Sequence, residues 1–307
     1  MLYCIGEILV DIFEDGDNQT IMPGGAPFNV ACNALLYTKD VAFYGAVGKD
    51  ENGEMLLSTA KDKGFNKLGI KELSDKYTSR AIVSLKDGER SFRFERDNGA
   101  DYQLNVEDID LANLSDEDIV HVGSLMLSYE SGVHFYNELV RKIKTSSNAK
   151  ISFDINYRDD IFSSPDEAKK IFISALKQAD ILKFSIEELE LLTNKKDALE
   201  SLKELLNKKQ IAVITLGAEG SMFYKDEKLI KVPTYKVKSI DTTGAGDAFY
   251  SYFLSSLINN PYFINDEAKV KLWLTKANIV GALATQHKGA IGVAPTNKEI
   301  EKFLEKV

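Results

Sequence analysis

Residues 241–249 read Asp-Thr-Thr-Gly-Ala-Gly-Asp-Ala-Phe, a glycine-rich turn that runs directly into an amphipathic helix. Gly244 and Gly246 permit tight backbone turns. Ala245, Ala248, Phe249, Tyr252, Phe253 and Leu257 form one apolar stripe that leaves Asp247 pointing away. The amides of Gly244, Ala245 and Gly246 open that helix. First-turn amides lack intrahelical acceptors, so with the helix dipole they make an anion site. A carboxylate in the same turn, Asp247, suits a base that takes the proton from a hydroxyl attacking a phosphoryl group.

Residues 23–37 hold a second such turn. Gly24-Gly25 lets backbone approach a ligand, Pro27 fits a first helical position, and Phe28, Ala31, Cys32, Leu35 and Leu36 share a face. Asn29 and Asn33 lie on the adjoining flank, where Asn33 reads as a solvated or interhelical amide. Arg158 follows a strand ending at Asp154; it suits contact with a substrate or a transferring phosphate, or a surface pair with Asp159 or Asp160. Asn156 sits in the same loop. Ser185-Ile186-Glu187-Glu188 reads as a capping box. Residues 215–220, Thr-Leu-Gly-Ala-Glu-Gly, read as a glycine turn into the strand at 222–225, and Asn278 as an exposed amide on a long helix.

The nonamer at 241–249, together with residues 23–34 (PGGAPFNVACNA) and 45–53 (GAVGKDENG), resembles the two signature motifs of the ribokinase-like (PfkB) carbohydrate kinases, in order and spacing. Within that family, residues 6–13, 153–158, 185–192 and 277–291 look most like bacterial fructokinases. The resemblance implies an ATP-dependent sugar kinase, a phosphotransferase acting on an alcohol, with fructose giving fructose 6-phosphate as the first expectation. Other acceptors stay open: 2-keto-3-deoxygluconate, ribose or aminoimidazole riboside, and beyond catalysis a silent sugar- or nucleotide-sensing module. It further implies sugar contacts from Asp11, Gly24, Gly25, Asn29 and Arg158, and nucleotide contacts from Thr215, Gly217, Gly220 and Asn278. Asp247 is then the base, assisted by Gly244, Ala245 and Gly246. Glu188 would organise Mg2+ through water, although Ser185 stands where the family pattern has Asn. Asp241 and Thr243, with backbone carbonyls near 284–293, would hold a monovalent cation, K+.

These residues need elements to carry them. Short apolar runs at 3–10, 41–47, 119–123, 150–154, 180–184 and 211–216 alternate with helical spacing at 27–37, 52–64, 130–144, 165–177, 196–207, 245–258, 267–286 and 297–306. That alternation predicts an α/β fold, a doubly wound, mostly parallel sheet flanked by helices, with ligands at the carboxyl ends of its strands. Residues 80–96 break the pattern with a period of two around Asp87-Gly88, a β-hairpin with a type I′ turn. The apolar face of Val83, Leu85, Phe92 and Phe94 must cover something. Hence residues 11–23 and 77–102 are expected to form a small β lid over the sugar site, and residues 1–10, 24–76 and 103–307 the α/β core with the nucleotide site. An exposed lid sheet leaves a homodimer through the lid and a monomer both open.

Composition sets the outer bounds. With 307 residues, 44% of them hydrophobic, the chain can bury a sizeable core without staples. A net charge of −9 argues against nucleic acid or a membrane surface as partner, while leaving a small phosphorylated ligand open. Cys4 and Cys32 read as buried, reduced thiols, and His121, His134 and His287 lack metal-ligand spacing. No Walker-type phosphate loop or dinucleotide fingerprint occurs. Without a signal peptide or a membrane span, the expectation is a cytoplasmic protein.

Overall fold

The computed structural model describes residues 1–15, 18–86 and 89–306; the expected Asp87-Gly88 turn lies outside them, as do the Leu85 and Phe92 side chains. The larger sheet holds nine strands: β1 (Leu2–Ile5), β4 (Val41–Gly48), β5 (Lys67–Leu73), β8 (Ile119–Val122), β9 (Lys150–Asp154), β10 (Ile181–Ser185), β11 (Ile211–Thr215), β12 (Ser221–Lys225) and β13 (Lys228–Val232). Their order is β13-β12-β11-β10-β9-β8-β1-β4-β5, parallel except at β12 and β13. This is the doubly wound α/β sheet expected from the alternation of apolar runs. The chain starts in the middle at β1, winds one way to β4 and β5, then returns to β8 on the other side. A crevice forms at such a reversal, outside the carboxyl ends of the strands.

Burial explains the strand composition. β1, β4 and β8 are buried along their whole length, so they read as unbroken apolar runs instead of alternating ones. One face is covered by α1 (Ala26–Ala34), α2 (Glu51–Lys63), α7 (Ala245–Asn259), α8 (Glu267–Ala284) and α9 (Asn297–Leu304). The other is covered by α3 (Glu130–Ser146), α4 (Pro165–Leu176), α5 (Ile186–Thr193) and α6 (Ala198–Leu205). Phe28 on α1 is fully buried with its ring 4.8 Å from that of Phe43 on β4, a packing worth about 2–3 kcal/mol. Both cysteines are buried and unpaired.

The second sheet holds β2 (Leu9–Asp15), β3 (Asn18–Gly24), β6 (Arg80–Lys86) and β7 (Glu89–Glu95) in the order β3-β2-β6-β7. The β6–β7 pair is antiparallel, with Lys86 opposite Glu89, while β2 and β6 run parallel. The apolar run at 3–10, expected as one strand, is divided between the two sheets. Gly6, at φ 144°, turns the chain there, and a Cβ on it would crowd Pro27 Cγ at 3.0 Å and Gly123 at 3.2 Å. Two strands lie outside the sequence expectation altogether. β5 is half-exposed and lacks a clean period, and β13 is a short antiparallel edge.

Candidate active site

A cavity of about 310 Å³ opens between the carboxyl ends of the large sheet and one face of the small one. Two helices point their N-termini at it. α1 starts after Gly25 (φ 106°) and α7 after Gly244 (φ 71°), and neither N-cap supplies a side-chain hydrogen bond. Both glycines are dictated by space as well as by φ. A Cβ on Gly25 would come within 2.3 Å of the Glu7 carbonyl oxygen, and one on Gly244 within 2.3 Å of Ala290 Cβ. Gly25, Ala26, Gly244 and Gly246 line the cavity, so uncapped helix starts face it from two sides. Ala245 is not among the lining residues, and its amide donates to Thr242 O at 3.2 Å.

Asp247 sits half-buried in the first turn of α7, and its Oδ2 accepts Asn29 Nδ2–H at 2.8 Å. Burial raises its pKa, against the lowering effect of the Asn29 hydrogen bond and the Lys183 charge. Asn29 Oδ1 is buried without a partner among the described residues, an acceptor left for a ligand hydroxyl.

The small sheet contributes a row. Asp11 on β2 pairs with Ala81 on β6, and Ala81 with Phe94 on β7. Cross-strand partners share a face, and all three line the cavity. Burial, reinforced by the Asp247 charge, pushes the Asp11 carboxyl up to about 7, with Arg158 opposing the shift. Gly24 lies beneath that carboxylate, where a Cβ would fall 2.3 Å from Asp11 Oδ2. Arg158 also lines the cavity and donates to Tyr157 O at 2.8 Å, while Asn156 reaches it from a left-handed turn at φ 41°.

Sequence reasoning missed Lys183. Its Nζ lies 2.8 Å from both oxygens of Asp154, buried, yet it lines the cavity, and Nζ would be only 3.6 Å from a Cβ on Gly246. Burial opposes its charge, but Asp154, Glu188 and Asp247 outweigh that and raise its pKa. The signal was a single lysine inside the apolar run of β10. Glu7 was missed as well. It is fully buried, neither carboxyl oxygen has a partner among the described residues, and burial pushes its pKa up to about 8.

Glu188 forms the capping box the sequence suggested: Ser185 N donates to Oε2 at 2.6 Å and Glu188 N to Ser185 Oγ at 3.2 Å. Its Oε1 also accepts Tyr157 N at 2.8 Å, tying α5 to the loop of Asn156 and Arg158. Each oxygen keeps a lone pair beside the Lys183–Asp154 pair, and burial raises its pKa. Among the described residues no three His, Cys, Asp or Glu cluster to cage a metal. That donor set fits a magnesium ion carried largely by phosphates and water, with Glu188 behind the water.

The remaining candidates form a separate group. Thr215 pairs with Ser185 across β11–β10 and donates to Phe184 O at 3.3 Å. Gly220, at φ 110°, packs on Val232 O, and Asn278 donates to Val232 O and Pro233 O at 3.2 and 3.3 Å. Asn278 is therefore buried, at 5% exposure, not the exposed amide expected of a long helix. Gly217 adopts φ 53° with open space around it. None of the four lines the cavity; they sit around the ends of β11 and β13. Asp241 is buried, its Oδ1 accepting Thr243 N at 2.7 Å and its Oδ2 Gly289 N at 3.0 Å. Asn33, neither solvated nor interhelical, donates to Ala290 O at 3.1 Å and holds the segment under Gly244. His121 is a packed core histidine bonded to Ser152 Oγ, and His134 and His287 are exposed.

Comparison with known proteins decides the family. The model of the pfkB family carbohydrate kinases matches residues 1–297. The chain belongs to that family. Fructokinase-1 of Zea mays is 35% identical over 288 residues, spanning 92% of this chain and 88% of its own. The fructokinase of Vibrio cholerae O395, solved with fructose, ADP and calcium, superposes with a TM-score of 0.89 at 32% identity, covering 99% and 98% of the two chains. Aminoimidazole riboside kinase from Salmonella enterica, solved with aminoimidazole riboside and an ATP analogue, gives 0.84 at 25%, covering 99% of each. The large sheet of this pfkB kinase with its flanking helices, and the small sheet beside it, is thus a ribokinase-like fold. Among the described residues no helix is long and apolar enough to cross a membrane.

Proposed function

We propose that this pfkB-family kinase transfers the γ-phosphoryl of Mg-ATP to fructose, giving fructose 6-phosphate. The observation that carries the reading is the Asp247 carboxylate, half-buried at the uncapped start of α7, lining the cavity and held by Asn29. Fructose is favoured over aminoimidazole riboside by the higher identity to fructokinases.

In this reading the small sheet, formed largely by residues 11–23 and 77–102, is a lid over the sugar site, and the sugar lies between it and the core. Asp11 and Asn29 Oδ1 accept its hydroxyls, Gly24 and Gly25 bring backbone close, and Arg158 reaches the sugar or the phosphate. Asp247 takes the proton of the attacking hydroxyl as the new O–P bond forms and the bond to the ADP oxygen breaks. The amides of Gly244 and Gly246 face the phosphoryl oxygens, where preorganised donors are most effective, and Ala245 joins them if its bond to Thr242 opens. Lys183 adds positive charge to the same wall. Bound magnesium would neutralise phosphate charge, with Glu188 orienting its water. Thr215, Gly217, Gly220 and Asn278 form the nucleotide end, and Asp241 and Thr243 would hold K+ beside the 285–289 segment. Lid closure excludes water from the transfer.

A homodimer through the outer face of the small sheet, where Ile21 is 49% exposed, and a cytoplasmic location complete the proposal. ADP release with Mg-ATP over fructose, 2-keto-3-deoxygluconate, ribose and aminoimidazole riboside tests it. Fructose should give the highest kcat/KM, and the product should be the 6-phosphate. Release stimulated by no acceptor would favour a sensing module.

A further inference from the structure

Both ends of the β6–β7 hairpin are tied to one buried carboxylate. Asp101, 1% exposed, accepts the Ser79 hydroxyl on Oδ1, and Arg96 Nε–H and Nη2–H on Oδ2 at 3.0 and 2.5 Å. Ser79 is the residue before β6 and Arg96 the residue after β7. The guanidinium continues through Nη1 to Leu125 O at 3.0 Å and Ser128 Oγ at 2.8 Å, in the 3-10 turn that follows β8. It also lies 5.5 and 5.3 Å from the centres of the Tyr102 and Tyr129 rings, themselves stacked at 3.7 Å. Cavity residues Ala81 and Phe94 stand two residues inside the hairpin from Ser79 and Arg96, and Leu125 faces the same cavity.

We infer that Asp101 and Arg96 are positioning residues for the acceptor: they set the placement of the Ala81–Phe94 row against Leu125 without touching the substrate. This rests on the reading that the cavity takes a sugar. A buried ion pair adds little net stability over an apolar core, because desolvation offsets the attraction. What a planar guanidinium and a two-oxygen carboxylate add is direction. Together they fix three segments, the start of β6, the end of β7 and the turn after β8, at defined angles. The hairpin therefore carries Ala81 and Phe94 on a fixed hinge.

The test uses the intact protein and Ser79→Ala, Arg96→Lys and Asp101→Asn variants, with wild-type turnover on the acceptor panel measured first. Ser79→Ala, which removes one hinge bond only, should raise the acceptor KM about three- to tenfold, leaving kcat and the KM for ATP within about twofold. Arg96→Lys keeps the charge but loses the fork, so it should raise the acceptor KM at least as much. In the same two variants, amides of residues 80–86 and 89–95 should exchange hydrogen about tenfold faster than in the wild type, while those of β9 and β10 hold their rates. If Asp101→Asn does not fold, Ser79→Ala and Arg96→Lys decide. The inference is overturned if acceptor KM, ATP KM and kcat change together in step with a fall in Tm. An acceptor KM and hairpin exchange that both stay at wild-type values in Ser79→Ala and Arg96→Lys would overturn it too. Should the wild type turn over no acceptor, the sugar-kinase reading fails in that measurement alone, and the exchange rates still decide the hinge.

Discussion

The Asn29 amide and the Asp247 carboxylate, 218 residues apart in sequence, meet at 2.8 Å where α1 and α7 pack together. That contact joins the residue proposed for sugar recognition to the residue proposed as base. It also lowers the pKa of a carboxyl that burial raises.

Removing the donor should therefore act on protonation as well as binding. In Asn29→Ala the Asp247 pKa rises, so the base stays protonated to higher pH and the acidic limb of kcat/KM moves upward. Activity on the acidic side should fall below that of the wild type, while the alkaline plateau is reached at higher pH. A pH–rate profile checks it, and an unmoved limb would separate Asn29 from the base.

Asp11 gives a second limb. Its carboxyl is pushed up to about 7, and hydroxyl recognition needs the ionised, accepting form. With fructose subsaturating, kcat/KM should climb between pH 6 and 8 and then flatten. Arg158→Leu removes a charge that opposes the shift, so the limb should move to higher pH. Asp11→Asn should abolish the limb and cost about 2–3 kcal/mol of acceptor binding.

Lys183 and Asp154 are an ion pair buried beneath the cavity wall. Lys183→Met strands the carboxylate and should cost about 3–5 kcal/mol in urea denaturation. Changing Asp154 to Leu in the same chain should recover most of that stability without recovering turnover, since the wall has lost its positive charge. Recovery of both would make the pair purely structural.

For Glu188, capping and metal organisation predict different losses. Glu188→Gln keeps one acceptor oxygen for two amides, so Tm should fall modestly, consistent with a lost cap bond of about 1 kcal/mol. The magnesium concentration for half-maximal turnover should rise several-fold as well. An unchanged magnesium curve with a lower Tm would leave Glu188 as a cap alone.

How much of this was legible in the residues follows from what each signal depends on. The 241–249 segment is local: a glycine φ, free amides and a carboxylate within one helical turn are set by neighbours in sequence, and the structure places Gly244, Gly246 and Asp247 accordingly on the cavity. The parallel strands were legible because burial on both faces makes them continuous apolar runs. The break at Gly6 was not, since apolar residues continue across it and only the crowding by Pro27 and Gly123 marks it. Lys183 and Asn278 were hidden for a related reason. Their partners, Asp154 and the Val232–Pro233 backbone, come from other elements, so an isolated lysine or amide shows nothing of its burial. The row Asp11–Ala81–Phe94 likewise depends on strand register, and a parallel β2–β6 pairing is not announced by a turn.

The central claim is that Asp247 is the base of a phosphoryl transfer. Turnover of Asp247→Asn with saturating fructose and Mg-ATP, measured as ADP release beside the affinity for ATP, tests it most directly. The account predicts a folded protein with wild-type Tm within a few degrees, ATP affinity within about threefold and kcat reduced by at least about a thousandfold. Near-normal kcat in a protein that binds ATP as the wild type does would contradict it.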